Sequence, residues 1–212
     1  MNNAIEFEQF QYNKIVREDT RKEFGIEDKF VVGHMGRFAY QKNHAFLVEM
    51  FAELCRKEEN AVPLLVGDGE LRDAMYNKTT YLGIESKVIF ARKCEDVDKL
   101  LQAMDIFCFP SRFEGLPISL IEVQAADLLC LYSDTITDEI ELIDKILRLP
   151  LDKNMWVEKI LNLRDKAYER KDSISEMMKR GYNIKLQIKS IEKEYRGGVL
   201  HKLIPAWIGV CA

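Results

Sequence analysis

Basic residues do not outnumber acidic ones in this chain. Its 31 lysines and arginines meet 35 aspartates and glutamates, for a net charge of −4, which excludes a protein that tracks nucleic-acid phosphates along a basic surface. Histidine is scarce: three residues, placed so that neither a Ser-His-Asp arrangement nor a metal-ligand spacing can be composed from them. The five cysteines, Cys55, Cys94, Cys108, Cys130 and Cys211, form no C-x-x-C pair, and three of them sit inside apolar runs. That usage fits buried thiols in a reducing cytoplasm, with no metal expected. Met1 to Glu8 lacks the apolar core of a signal peptide, and no unbroken apolar run is long enough to span a bilayer. Repeats and low-complexity tracts are absent too. What remains is a globular chain of 212 residues, 47% hydrophobic, long enough for one large domain or two small ones.

The stretch that organises the sequence runs from Asp105 to Glu122. Ile106 to Phe109 has the length and composition of a strand buried on both faces, and Pro110 ends it. A polar loop, Ser111 to Gly115, carries one carboxylate, Glu114. Pro117 then sits where the start of a helix tolerates proline, and Ile118, Leu120 and Ile121 open an apolar helix bearing a second carboxylate, Glu122. Free N–H groups of Gly115, Leu116 and Ile118, at the positive end of the helix dipole, make an anion site suited to phosphate. Two acids there would repel a phosphate unless they served hydroxyl groups of the same ligand, and a nucleotide sugar supplies both needs. The plainer alternative is a solvated loop acid and a surface helix acid.

Around this stretch, short apolar runs alternate with helical patterns. Phe30 to Met35, Val62 to Val66, Val88 to Ala91, Ile106 to Phe109 and Leu128 to Tyr132 read as strands. Between them lie a helix from His44 to about Lys57, which Asn43 is expected to cap, one from after Glu70 to about Leu82, closed by Gly83, and a short one from Asp96 to Met104. Before them, Asn13 to Phe24 is a helix whose Arg17, Arg21 and Lys22 read as a solvated face. The alternation predicts an α/β fold, a Rossmann-like doubly wound parallel sheet. Residues 1–12 read as a linker, 13–196 as one nucleotide-sugar-binding domain and 197–212 as a tail. Helices alone are expected beyond Leu151, at 155–168, 173–180 and 184–195.

Ligands of such sheets gather outside the carboxyl ends of the strands. The residues just past those ends are Gly36, Arg37 and Lys42; Gly67 and Gly69; Arg92; Glu114 to Pro117; and Ser133 and Asp134. A guanidinium at Arg37 and an ammonium at Lys42 suit a diphosphate, although two loop cations can also be merely solvated. Gly67-Asp68-Gly69 lacks the third glycine of a dinucleotide fingerprint and reads more simply as a turn. Arg92 is either a nucleobase contact or an exposed cation. His34, inside a strand, and His44, near a helix start, read as structural.

Gly36-Arg37, Gln41-Lys42-Asn43, Val66-Gly-Asp-Gly69 and Phe109-Pro-Ser-Arg-Phe-Glu-Gly-Leu-Pro117, with Glu122 completing an E-x7-E spacing, closely resemble the carboxyl-terminal, donor-binding half of family four retaining glycosyltransferases. The resemblance covers about Asn2 to Tyr195, and is strongest to the bacterial exopolysaccharide and capsule type. It implies a single half of a GT-B fold followed by helices. Arg37 and Lys42 would hold the donor diphosphate, Glu114 and the amides of Gly115 and Leu116 the sugar and phosphate, and Glu122 the ribose. Glu114, Arg37 and Lys42 are the implied catalytic residues; Gly36, Gly67, Arg92 and Pro117 complete the implied donor site. Neither a metal nor any other cofactor is expected, and the donor is expected to be UDP-linked. The resemblance further implies hexose transfer to a glycan or lipid-linked acceptor, an amino-terminal acceptor domain missing from this chain, inactivity without it, and a cytoplasmic protein whose full-length form associates peripherally with membrane. Where family members carry Ala-Gly-Leu-Pro, this chain has Ala126-Asp127-Leu128-Leu129, and aspartate in a left-handed helix stop costs about 1 kcal/mol. Two other readings are a fragment of a GT-B nucleotide-sugar epimerase and a non-catalytic interaction module.

Overall fold

The computed structural model describes residues 5–92, 96–166, 169–171 and 173–179. Six strands form one parallel sheet: β1 (Phe30–Met35), β2 (Ala61–Val66), β3 (Ile89–Ala91), β4 (Ile106–Phe109), β5 (Leu129–Ser133) and β6 (Ile146–Leu149). Their order is β3-β2-β1-β4-β5-β6, the Rossmann-like α/β arrangement expected from the alternating runs. Strand order reverses between β1 and β4. A crevice opens at such a reversal because the loops leaving the two strands turn to opposite faces of the sheet.

Eight helices among the described residues cover the sheet: α1 (Phe7–Phe10), α2 (Lys14–Phe24), α3 (His44–Lys57), α4 (Arg72–Tyr81), α5 (Val97–Ala103), α6 (Ile118–Ala125), α7 (Lys153–Arg164) and α8 (Ile174–Lys179). Alternate strand residues feed two cores. Val31, Leu64, Phe107 and Phe109 pack with Leu101 of α5 and Leu120 and Ile121 of α6; Val32, Leu65, Ile106 and Cys108 pack with Leu47 and Phe51 of α3 and Trp156 of α7. Strands apolar on both faces are what a sheet covered on both sides requires.

The structure departs from the sequence expectations at several places. β6 is a sixth strand where none was expected; it pairs only with β5 at the sheet edge, and the exposed Arg148 interrupts its apolar run. The 155–168 helix runs instead from Lys153 to Arg164, with Asp152 accepting from the Met155 N–H at 3.0 Å. Asn43 precedes α3 but does not cap it through its side chain. Its φ is 56°, and its amide donates to the Pro110 carbonyl at 3.2 Å instead.

Arg17 and Arg21 are not a solvated face. Arg17 donates to the carbonyls of Gln102 and Met104, both at 2.8 Å, and Arg21 reaches Asp105 at 2.8 Å. The carbonyls closing α5 draw Arg17 inward, and the Asp105 carboxylate draws both arginines. Residues 5–12, expected as a linker, lie against the domain: Phe7 is fully buried, and the Gln102 amide donates to the Phe10 carbonyl at 3.1 Å. The expected 184–195 helix and 197–212 tail fall outside the described residues.

Candidate functional site

Gly36 follows β1 and sits beside the loop that follows β2. A Cβ on Gly67, at φ 143°, would lie 2.1 Å from the Gly36 carbonyl oxygen, so only glycine lets these two loops approach as closely as they do. The turn is then fastened by hydrogen bonds from Gly36 N–H to Val66 O at 3.0 Å and from Phe38 N–H to Asp68 O at 2.9 Å. Gly67-Asp68-Gly69 is thus a turn that shapes the crevice wall.

The crevice, of about 830 Å³, is lined by Gly36, Arg37, Gly67, Gly69 and Val97, by Glu122 of α6, and by Ile5, Glu6, Gln9 and Phe10 of the amino-terminal segment. The last four were not foreseen as lining. Their signal lay in the spacing of Ile5, Phe7 and Phe10, the apolar face that seats α1 on α6.

Glu114 is held from two sides. Its Oε1 accepts from Lys42 Nζ at 2.8 Å and its Oε2 from Gln41 Nε2 at 3.0 Å; its side chain is 9% exposed and that of Lys42 18%. The Lys42 ammonium also lies 4.6 Å from the centre of the Phe109 ring, a cation–π contact that keeps the charge near the end of β4. The lysine stem passes beside Gly36, where a Cβ would come within 3.3 Å of its Cδ. Gly36, Lys42 and Glu114 therefore form one continuous surface running from the crevice to the loop before α6.

Arg37 is the most exposed cation of the set: its side chain is 76% exposed and pairs with Glu70 at 3.3 Å, a surface pair worth little that an anion could displace. Gly115 has no heavy atom within 4 Å of a hypothetical Cβ. Among the described residues the backbone N–H groups of Gly115, Leu116 and Ile118 have no hydrogen-bond partner, and Pro117, which has no N–H to donate, is buried just before α6. They stand at the positive end of that helix. Glu122 lies one turn further along, half-buried, and burial raises its pKa above the ordinary carboxylate value.

Two candidates fall elsewhere. Arg92 is exposed at the end of β3 and opens onto a separate hollow with Thr20, Glu23 and Lys99. Ser133 is buried and bonds Thr135, whose hydroxyl donates to the Ser111 carbonyl at 2.9 Å; it braces the site loop from behind. His34 is fully buried, its Nδ1–H donating to the Cys108 carbonyl at 2.8 Å, and burial holds its pKa well below the usual value. His44 is pulled down to about 4 by burial and then by Lys42. Both are neutral structural residues beneath the site, as read from the sequence.

A second cleft, of about 740 Å³, lies at the opposite end of the sheet, beside Phe30, Ile106 and Leu129. Its three arginines are already engaged: Arg17 with Asp105, Arg164 with Glu58, and Arg170 with the Leu101 and Met104 carbonyls at 3.1 and 2.7 Å; Lys14 and Lys166 line it as well. No group of three or more metal-ligating side chains occurs among the described residues, and none of their helices is long and apolar enough to cross a membrane.

Comparison with known proteins adds a family to this geometry. The family model described as "Glycosyl transferases group 1" matches residues 16–164. EpsF of Bacillus subtilis, a protein named as a glycosyltransferase, is 30% identical over 198 residues, 91% of this chain and 52% of EpsF. The UDP-Gal:alpha-D-GlcNAc-diphosphoundecaprenol alpha-1,3-galactosyltransferase of Escherichia coli is 30% identical over 138 residues, 62% of this chain and 35% of that enzyme. Among solved structures, HepE of Anabaena in complex with UDP and glucose superposes with a TM-score of 0.78 at 18% identity, covering 93% of this chain and 56% of HepE. The fold is thus that of one half of a GT-B glycosyltransferase, and the chain spans about half the length of EpsF and of HepE.

Proposed function

The chain belongs to the glycosyl transferases group 1 family, and from that premise we propose that it is the donor-binding half of a family four retaining hexosyltransferase of the bacterial exopolysaccharide or capsule type. The observation that carries this reading is the single surface joining Gly36, Lys42, Glu114 and the start of α6, with Arg37 and Glu122 in the adjoining crevice at the strand-order reversal.

A nucleoside diphosphate sugar fits that surface from end to end. The diphosphate lies against the free N–H groups before α6, with Lys42 and Arg37 supplying positive charge. Glu122 accepts from the ribose hydroxyls and Glu114 from the hexose. As the glycosidic bond breaks, negative charge grows on the departing diphosphate. The fixed N–H dipoles before α6 are already aimed at it and Lys42 and Arg37 add positive charge, so its stabilisation is proposed to need no metal ion. Transfer with retention of anomeric configuration and a glycan or lipid-linked acceptor complete the proposal; the E. coli relative, whose name includes a diphosphoundecaprenol-linked sugar, supports the latter. The donor is proposed to be UDP-linked, the nucleotide held by HepE. Acceptor binding and turnover are assigned to an amino-terminal domain beyond these residues, so this chain alone binds donor without transferring it. The free cysteines at 55, 108 and 130 fit a reducing, cytoplasmic setting.

Calorimetric titration of the chain with UDP, UDP-glucose, GDP and GDP-mannose tests the reading. Saturable binding of at least one nucleotide pair is expected, lost on Lys42→Ala; no heat of binding at millimolar ligand would refute it.

A further inference from the structure

Gln41 donates more hydrogen bonds to the loop from Pro110 to Glu114 than any other described side chain. Its amide nitrogen has two hydrogens. One goes to the Phe113 carbonyl at 2.9 Å and the other to Glu114 Oε2 at 3.0 Å. Both partners are acceptors, which settles the orientation of the amide. Its own backbone carbonyl accepts from the Arg112 N–H at 2.8 Å, and its neighbour Asn43 donates to the Pro110 carbonyl at 3.2 Å. The three residues of the 41–43 turn therefore grip four of the five residues from Pro110 to Glu114, with Lys42 taking the remaining carboxylate oxygen.

We infer that Gln41 is a positioning residue for sugar recognition: it locks the Glu114 carboxylate in the orientation in which the donor's sugar hydroxyls find it. The inference rests on the donor-binding reading above, in which Glu114 touches the sugar. Each Glu114 oxygen has one donor from the 41–43 turn and keeps a further lone pair for a hydroxyl. A glutamate left free would have to give up its rotamers when the sugar arrives; here they are given up on folding, so sugar binding is stronger by that difference. The effect is expected on the sugar, because the Gln41 side chain donates to Phe113 and Glu114 and to no group assigned to the diphosphate. Lys42 supplies charge to both parts of the ligand and cannot be read this way; Gln41 can.

The test is calorimetry on the full chain with UDP against UDP-glucose and GDP against GDP-mannose, for wild type, Gln41→Met, Glu114→Gln and the double variant. Gln41→Met keeps side-chain length and removes both donors. The expected result is a Kd for the free nucleotide within about twofold of wild type, which also reports an intact fold, and a Kd for the sugar nucleotide weakened about tenfold, the loss typical of a hydrogen bond to a charged group. In the Glu114→Gln background the same change should cost less than about twofold, because Gln41 acts through that carboxylate. Equal weakening of nucleotide and sugar nucleotide, no weakening of either, or full additivity in the double variant would each overturn the inference while leaving the donor-binding reading in place. Absence of any nucleotide binding by the wild type would instead remove the reading and the inference with it.

Discussion

Glu122 pays for its position: buried beside the crevice, it holds its proton more tightly in the folded chain than in the unfolded one. Its ionisation therefore costs stability as pH rises from the ordinary carboxylate value through the raised one, and that cost is fully present at neutral pH. Glu122→Gln should raise Tm at pH 7, lose that gain below the ordinary carboxylate pKa, and weaken nucleotide binding tenfold or more, a pairing of gain and loss expected of binding residues. His44 has the opposite sign. Its pKa is near 4 in the folded chain against about 6.5 unfolded, so the unfolded state takes up the proton first as pH falls. Stability is complete above about 6.5 and declines toward 4, by about 3 kcal/mol in all. His44→Phe keeps the ring stacked on Phe38, 4.0 Å away in the native protein, and should flatten that acid limb in denaturant titrations at pH 4.5, 5.5 and 7.

At the scale of elements, the helix stop after α6 shows how a local misfit is compensated. Asp127 has φ 51°, the left-handed conformation expected for this position, in which a side chain is disfavoured. Its carboxylate, 2% exposed, pairs with Lys145 just before β6 and accepts the N–H of Lys171. The aspartate ties the end of α6 to the sheet edge and to the segment leading into α8. Asp127→Gly relieves about 1 kcal/mol of backbone strain but removes a buried carboxylate's ion pair with Lys145 and its bond from the Lys171 N–H, so the net expectation is a loss of about 2 kcal/mol; urea unfolding of the variant beside wild type measures it. The same compensation explains what could be read from sequence. β1, β2 and β4 are central and apolar on both faces, so their runs stand out, and the residues following them lead directly to Gly36, Lys42 and Glu114. β6, at the edge, carries an exposed arginine, and α1 is only four residues long; neither has enough apolar periodicity to register. Arg17 and Arg21 looked solvated because the carbonyls of residues 102 and 104 that Arg17 meets, and the Asp105 carboxylate that Arg21 meets, are more than 80 positions away in the chain.

The described residues form a parallel sheet whose candidate site coincides with the reversal of strand order. At that end Lys42, Arg37, Glu114 and Glu122 stand with three N–H groups that have no partner among the described residues, while the three arginines of the opposite cleft are held by carbonyls and carboxylates of the fold. Under the donor-binding reading proposed above, the chain should bind a nucleotide sugar by itself. The most direct measurement is a crystal of the chain soaked with UDP-glucose. The account predicts diphosphate density within hydrogen-bonding distance of the Gly115 and Leu116 N–H groups and of Lys42 Nζ, with the ribose at Glu122 and the glucose at Glu114. Density for the diphosphate in the cleft beside Arg17 and Arg164, with the Lys42 to Glu114 contact untouched, would contradict it.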